Sequence, residues 1–479
     1  MSLQRSLSQD DGIAASEPMS RTPVTPASPV SLESTGLSPS LVVDLLLKHL
    51  LRAGDQSVYD LGTRTALPVP LIEPLLGFMR TERLVEVPRR GSFDADVAYV
   101  LTDAGRARAG DAMDRNQYVG PAPVSLDEYL GQVERQQLQG QRVPESALRE
   151  ALAPLVVNDQ LVLQLGAAMN SWRPLFLYGP SGSGKTCLAE HLVRVARGNV
   201  WIPHAITVDG EIIQVYDPAV HQRVEGDSGP ARSLDRARGS DARWMLCSRP
   251  VVQLGGELTL SMMDLELDPV TRYYRAPAQL KANNGMLIFD DLGRQRSSAH
   301  AILNRWIVPL DRKVDYLALH TGTKCQVPFD VAVIFSSNLT PSSLADPAFV
   351  RRLGYKIRLA PMTESEYLRV FRLACARAGL GSDAAIERFL IEDLHKATAT
   401  PLLPAYPADL VQKLVDLAIY EGTAAELTPE NLRWSWQLYF AADQEIRASE
   451  TGGAASPRRR PGLRKPAPAQ SDSQQGNDR

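Results

Sequence analysis

No two of the four cysteines, Cys187, Cys247, Cys325 and Cys375, stand at CxxC spacing, and each lies far from the next. This excludes a zinc ribbon, argues against a disulfide framework and suits a reducing cytosol. Cys187 is accordingly expected to be a buried structural thiol. The seven histidines form no HExxH pattern, which removes that route to hydrolytic zinc chemistry. Long apolar runs are missing as well. The most apolar early stretch, Leu41 to Leu51, is broken by Asp44, Lys48 and His49, so it reads as a helix of a soluble domain and not as a membrane span. Residues 1–36 hold no apolar segment of a secretory signal, and a cytoplasmic chain without membrane insertion is expected. Charge of one sign is scarce too: 52 basic against 55 acidic residues leave a net −3, with no global pull toward nucleic acid or anionic membrane.

With 479 residues the chain is too long for one core and implies several domains. Residues 1–37 and 448–479 are Ser/Thr/Pro-rich or basic and are expected to be disordered tails, the second carrying Arg458-Arg459-Arg460 and Arg464-Lys465. Residues 38–115 show three helical patterns, Leu41–Leu51, Val58–Leu67 and Val69–Met79. Two short strands, Leu84–Val87 and Val97–Leu101, and a helix from Thr102 follow, with a turn at Arg89–Ser92 between the strands. Residues 116–155 read as a polar linker with an amphipathic piece at Leu126–Val133.

Gly179-Pro180-Ser181-Gly182-Ser183-Gly184-Lys185-Thr186 fits the phosphate-binding loop G-x-x-x-x-G-K-[ST] at every fixed position. The apolar run Pro174–Tyr178 precedes it and a helical pattern, Leu188–Ala196, follows, a setting that disfavours a chance Gly/Ser-rich turn. Glycines let successive backbone N–H groups converge on one anion, and the helix N-terminus adds partial positive charge. Lys185 then reaches the β- and γ-phosphates and the Thr186 hydroxyl serves Mg²⁺, so ATP and Mg²⁺ are the expected ligands.

Downstream, Met286–Asp291 is an apolar strand ending in two carboxylates, with Asp290 placed to hold Mg²⁺ and Asp291 to orient the attacking water as general base. A third apolar strand, Val331–Phe335, ends in Ser336-Ser337-Asn338. The Asn338 amide either lies beside the γ-phosphate or merely caps the strand end, and the residues alone favour neither. Arg351 and Arg352 close the segment Asp346–Tyr355. Between these motifs, Trp201–Gly285 exceeds what a minimal core needs: Asp227–Arg243 reads as a loop, and Val251–Leu260 as paired strands around Gly255-Gly256. Tyr273 and Tyr274 are either pore-lining aromatics or, the stronger expectation, packed within the domain.

Taken in this order, the motifs of roughly residues 160–450 resemble the AAA+ ATPases. Asp315–Phe329 looks like the β-hairpin before sensor 1 of the MoxR-like and related clades, and residues 361–447 resemble the helical lid. Residues 38–115 resemble a winged helix, whose would-be reading helix, Pro68–Thr81, carries Arg80 as its one cation; a protein-docking role is expected ahead of DNA binding. The resemblance implies an α/β fold: a P-loop NTPase core with a doubly wound sheet over residues 156–360, a C-terminal α-helical lid and a small N-terminal winged-helix-like α+β domain. It also implies a homo-oligomeric ring in which Arg351 and Arg352 complete a neighbour's site, with Asn338 as γ-phosphate sensor and a protein substrate as partner. Two departures count against fast turnover: Asp290-Asp291 replaces the usual Asp-Glu, and Ala408 stands where the lid's sensor 2 arginine is expected, with Lys413 one turn on. A slow nucleotide-dependent switch and a DNA-tethered regulator are the rival expectations.

Overall fold

The computed structural model describes residues 24–87, 97–224, 239–344 and 346–440. The chain divides into two compact units, Met1–Ala360 and Pro361–Arg479.

The first unit opens with α1 (Pro39–Ala53), β1 (Gln56–Ser57), α2 (Val58–Thr65), α3 (Val69–Thr81), β2 (Val85–Glu86), β3 (Ala98–Leu101) and α4 (Asp103–Arg115). Ser38, Ser57 and Thr102 cap α1, α2 and α4 by accepting backbone N–H bonds, which fixes where each helix begins. The three strands form one small antiparallel sheet, ordered β1-β3-β2. The core of this region, with Val42, Leu46, Leu61, Ile72 and Met79, also takes in Ala205 and Ile212 from far along the chain, so the region is built into the first unit. The Arg89–Ser92 turn lies outside the described residues.

Two expectations fail here. Residues 24–37 are not a loose tail: the Pro26 carbonyl accepts from the Asp241 N–H, the Val24 carbonyl accepts from Gln132, and Thr35 and Leu37 are buried. Nor are residues 116–155 a linker. They carry β4 (Val124–Ser125), α5 (Leu126–Arg135) and α6 (Glu145–Leu152). Their Tyr129, Val133, Leu148 and Leu152 recur at helical spacing and are buried, so the polar composition hides two amphipathic helices.

The remainder of the first unit runs α7 (Asp159–Ser171), β5 (Leu175–Tyr178), α8 (Lys185–Leu192), β6 (Asn199–Pro203), β7 (Ala205–Val208), β8 (Glu211–Gln214), β9 (Trp244–Ser248) and β10 (Val251–Leu254). It continues through β11 (Glu266–Leu267), β12 (Tyr274–Arg275), β13 (Gly285–Phe289), β14 (Val314–Ala318), β15 (Lys324–Pro328), β16 (Val331–Ser337) and β17 (Tyr355–Arg358). Five strands, ordered β10-β13-β16-β5-β17, form an all-parallel sheet. Its strands are apolar on both faces because both are covered. Leu175, Leu177, Met286, Ile288 and Ile334 pack with α6, α7 and α8, while Phe176, Leu287, Phe289, Val333 and Phe335 pack with Ile302, Leu303, Trp306 and Phe349 from helices on the other side.

The paired strands expected at Val251–Leu260 are absent. β10 instead joins β13 in parallel, and the residues after it turn away. A second five-stranded sheet, β11-β12-β8-β7-β4, is mixed. Tyr274 is buried in it and Tyr273 packs edge-on against Tyr118, so both pack within the domain. β14 and β15 make the expected hairpin; Leu317, Leu319, Cys325 and Val327 from its inner face join the core around the mixed sheet. Most of the predicted Asp227–Arg243 loop lies outside the described residues, but Asp241 and Arg243 are buried as an ion pair.

The second unit holds helices Glu364–Arg377, Ala384–Arg388 running on into a π-helical Phe389–Lys396, Ala405–Glu421 and Pro429–Tyr439. They enclose Tyr367, Phe371, Leu390, Leu410, Leu432 and Trp436. The basic tail, residues 448–479, lies outside the described residues. No helix among the described residues is long and apolar enough to cross a membrane.

Candidate nucleotide-binding site

In a parallel sheet every strand delivers its C-terminal loop to the same edge, and the chemistry gathers there. β5 ends at Tyr178 and feeds residues 179–184 into α8. Gly179 adopts φ +155°, and a Cβ there would meet the Leu359 carbonyl oxygen at 2.4 Å, so only glycine lets the loop pass β17. Gly184, in a left-handed conformation, forms the N-cap of α8, and the first residue of that helix is Lys185. Its ammonium donates to the carbonyls of Gly179 (3.1 Å) and Pro180 (2.9 Å) and to Asn338 Oδ1 (2.8 Å). Burial lowers the lysine's pKa, against the opposing pull of Asp291 and Asp290.

β13 ends one strand away from β5, with β16 between them. Asp290 Oδ1 accepts from Thr186 Oγ1 (2.9 Å), Ser336 Oγ (2.7 Å) and its neighbour's Asp291 N–H (3.1 Å). Oδ2 faces Gln253 Nε2 at 3.5 Å, at the end of β10. Asp291 is turned at φ +49°, and its Oδ1 accepts from Asn338 Nδ2 at 3.1 Å. Asn338 therefore joins Lys185 to Asp291. All three strand ends read from the sequence are thus within hydrogen-bond reach of one another.

Thr186 and Asp290 offer a hydroxyl and a carboxylate, hard oxygen donors of the kind Mg²⁺ takes. No group of three His, Cys, Asp or Glu side chains suited to a metal exists among the described residues. The pair therefore fits an ion that draws its other ligands from phosphate and water, and does not fit a cage of protein ligands.

The arginines divide. Both lie on helix Pro347–Arg352, but Arg352 is held by Asp311 (2.9 Å) and the Ala348 carbonyl (2.7 Å), whereas Arg351 is exposed. Arg352 is thus occupied within its own chain. Cys187 is exposed, contrary to expectation, because α8 buries Lys185, Leu188, Ala189 and Leu192 and leaves Cys187 off that stripe. Four residues of the site escaped sequence reading: Ser336, Gln253, Arg294 and Gln295. Ser336 could have been found from its place two residues before Asn338; the others carry no motif. In the second unit, Ala408 lies in helix Ala405–Glu421, and the Lys413 ammonium stands 5.5 Å from the Tyr439 ring centre.

A family model described as a domain of unknown function (DUF8689) matches residues 363–438, inside the second unit. No curated protein matches the chain. Among solved structures, NtrX from Brucella abortus is similar at 12% identity over 64% of this chain and 65% of that one, with a TM-score of 0.37. A second structure of it, in complex with ADP, is 14% identical over 59% of this chain and 55% of that one, at a TM-score of 0.33. The chain thus spans less than two thirds of the length of either solved chain. Likenesses of this size assign neither a family nor an activity to the chain.

Proposed function

We propose that the protein is an Mg²⁺-dependent ATPase of the AAA+ type. The observation that carries this reading is the continuous set of contacts from Lys185 through Asn338 to Asp291, with Thr186 and Asp290 bonded beside it. Residues Gly179, Pro180, Ser181, Gly182, Ser183 and Gly184 wrap the phosphates, and Lys185 neutralises the β- and γ-phosphate oxygens. Thr186 and Asp290 hold Mg²⁺, which when bound draws charge from the phosphate oxygens. Asn338 lies between the γ-phosphate and Asp291 and orients both. Asp291 accepts a proton from water as its oxygen bonds to the γ-phosphorus, the bond to the bridging oxygen breaks, and ADP and phosphate leave.

Arg351 serves the site of a neighbouring chain in a homo-oligomeric ring, and Arg352 supports the helix that presents it. Hydrolysis drives remodelling of a protein partner. The outward residues of α3, among them Pro70, Glu73, Pro74, Gly77 and Phe78, present apolar surface with little positive charge, which supports protein docking over DNA binding. A slow switch is the second reading, supported by the short Asp291 side chain tied to Asn338.

The deciding experiment is ATP turnover per chain as protein concentration rises, with Lys185→Ala as the blank. Turnover that climbs to a plateau is expected of sites completed between chains. Saturable ATP binding with negligible turnover at every concentration selects the switch, and ATP binding unchanged in Lys185→Ala overturns the site.

A further inference from the structure

The turn after β13 is fixed more thoroughly than an exposed loop requires. Gln295 Nε2 donates to the carbonyls of Asp290 (3.0 Å) and Asp291 (3.2 Å), while its Oε1 accepts from the Gly293 N–H (2.7 Å). The Arg294 N–H returns to the Asp291 carbonyl at 3.0 Å. Leu292 is tied to β16 twice, its N–H to the Ser336 carbonyl (2.8 Å) and its carbonyl to the Ser337 hydroxyl (2.6 Å). Asp291 at φ +49° and Gly293 at φ +110° reverse the chain within this frame. A left-handed aspartate costs free energy, so its persistence means that the surrounding bonds hold it there.

The turn sets Arg294 beside Asp291, with Nη1 3.7 Å from Oδ2 and the side chain 69% exposed. An exposed pair at that distance contributes little to stability, so the guanidinium exchanges partners at small cost. The contacts now form one row: Lys185 to Asn338 (2.8 Å), Asn338 to Asp291 (3.1 Å), Asp291 to Arg294 (3.7 Å). A cation stands at each end. Lys185 opens α8 directly behind the glycine-rich loop, whereas Arg294 lies at the far end of the row, beyond Asn338 and Asp291. Arg294 is also close enough that its charge is felt at Lys185.

We propose that Arg294 is a second phosphate-contacting cation, supplied by the same chain that binds the nucleotide, which pairs with the terminal phosphate of ATP and makes no contact with ADP. This rests on the ATPase reading above. A guanidinium matches two phosphate oxygens at once, and by leaving Asp291 for phosphate it frees that carboxylate for water. Gln295 is the positioning residue, since its three bonds define the turn that carries Arg294.

The test compares binding of ADP and of the β,γ-imido analogue of ATP to the full chain, wild type against Arg294→Ala, Arg294→Lys and Gln295→Ala, with Lys185→Ala alongside. In Arg294→Ala the ATP analogue should weaken by about 10-fold or more, the scale of a lost charge-assisted hydrogen bond, with ADP affinity unchanged within roughly 2-fold. Arg294→Lys should recover part of the loss, and Gln295→Ala should reproduce it in weaker form. Parallel shifts for both nucleotides, or none for either, would overturn the proposal while leaving the site intact. If the wild-type chain and Lys185→Ala bind the ATP analogue equally, the nucleotide site itself falls, and this role of Arg294 with it.

Discussion

The first unit contains two five-stranded sheets that use their polar residues differently. In β10-β13-β16-β5-β17 all strands run one way, so the loops at residues 179–184, 290–295 and 336–338 meet at one edge. Their side chains bond across strands and still face outward: Asp291, Asn338 and Thr186 are only partly buried. In β11-β12-β8-β7-β4, β7 and β8 are antiparallel, as are β11 and β12, so strand ends scatter to both edges. Polar groups around it are drawn into the interior, and the Thr207 hydroxyl on β7 is buried without a hydrogen-bond partner. Arg243, fully buried in the turn before β9, pairs with Asp241 (2.8 Å) and with Glu128 of α5 (2.9 Å), and the Tyr274 hydroxyl of β12 meets His320 at the tip of the β14–β15 turn. Strand direction decides which sheet gathers its strand-end polar groups at one solvent-facing edge.

The comparison is broken most directly at Asp291. Asp291→Asn keeps the shape and the hydrogen-bond partner Asn338 but removes the proposed base, so on the ATPase reading single-turnover hydrolysis should fall by about 10²–10⁴ with ATP affinity retained. Binding and turnover lost together would mean that Asp291 organises the site instead of acting within it. In the turn before β9, Arg243→Ala strands Asp241 in the interior. The expected cost is about 3–5 kcal/mol of stability, read from chemical unfolding, and turnover per folded chain should not change. A turnover defect at full folding would show that the two sheets are functionally coupled. Between them in kind lies Phe335→Ala. Phe335 stacks on Phe289 (centroids 5.0 Å apart) beneath the edge that carries the candidate site, and the cavity should cost about 3–5 kcal/mol while also loosening Ser336 and Asn338.

The same contrast governs what could be read from sequence. That Lys185, Thr186, Asp290 and Asp291 would come together was legible because the phosphate-loop motif and the apolar strands around it prescribe residue type and spacing, whereas Asn338 was placed only by its position at the end of β16. β10 was misread because Val251–Leu260 satisfies a local hairpin pattern around Gly255-Gly256, while its actual partner, β13, lies more than thirty residues on; pairing of that kind is decided by tertiary packing. Residues 116–155 were misread because glutamines, charges and prolines interrupt their apolar residues, although those residues recur at helical spacing. Arg294 and Gln295 left no trace, since their roles arise from a backbone reversal that no residue pattern there encodes.

The smallest effect separates the two regions by pH. His204 follows β6 and lies against Tyr216 (ring centres 5.5 Å apart), and burial, aided by Arg223, depresses its pKa to about 4. Its ordinary value in an unfolded chain is near 6.5. The unfolded chain therefore takes up a proton first as pH falls. The stability held by the neutral imidazole is complete above about pH 6.5 and drains away toward about pH 4, by roughly 1–1.5 kcal/mol at pH 5.5. Protection factors of the β7 and β8 amides, taken relative to the intrinsic exchange rate at each pH, should fall over this interval, and His204→Gln should flatten the response. On the proposed reading His204 takes no part in hydrolysis, so an activity profile per folded chain that followed the protection profile through the same interval would contradict the separation drawn between the two sheets.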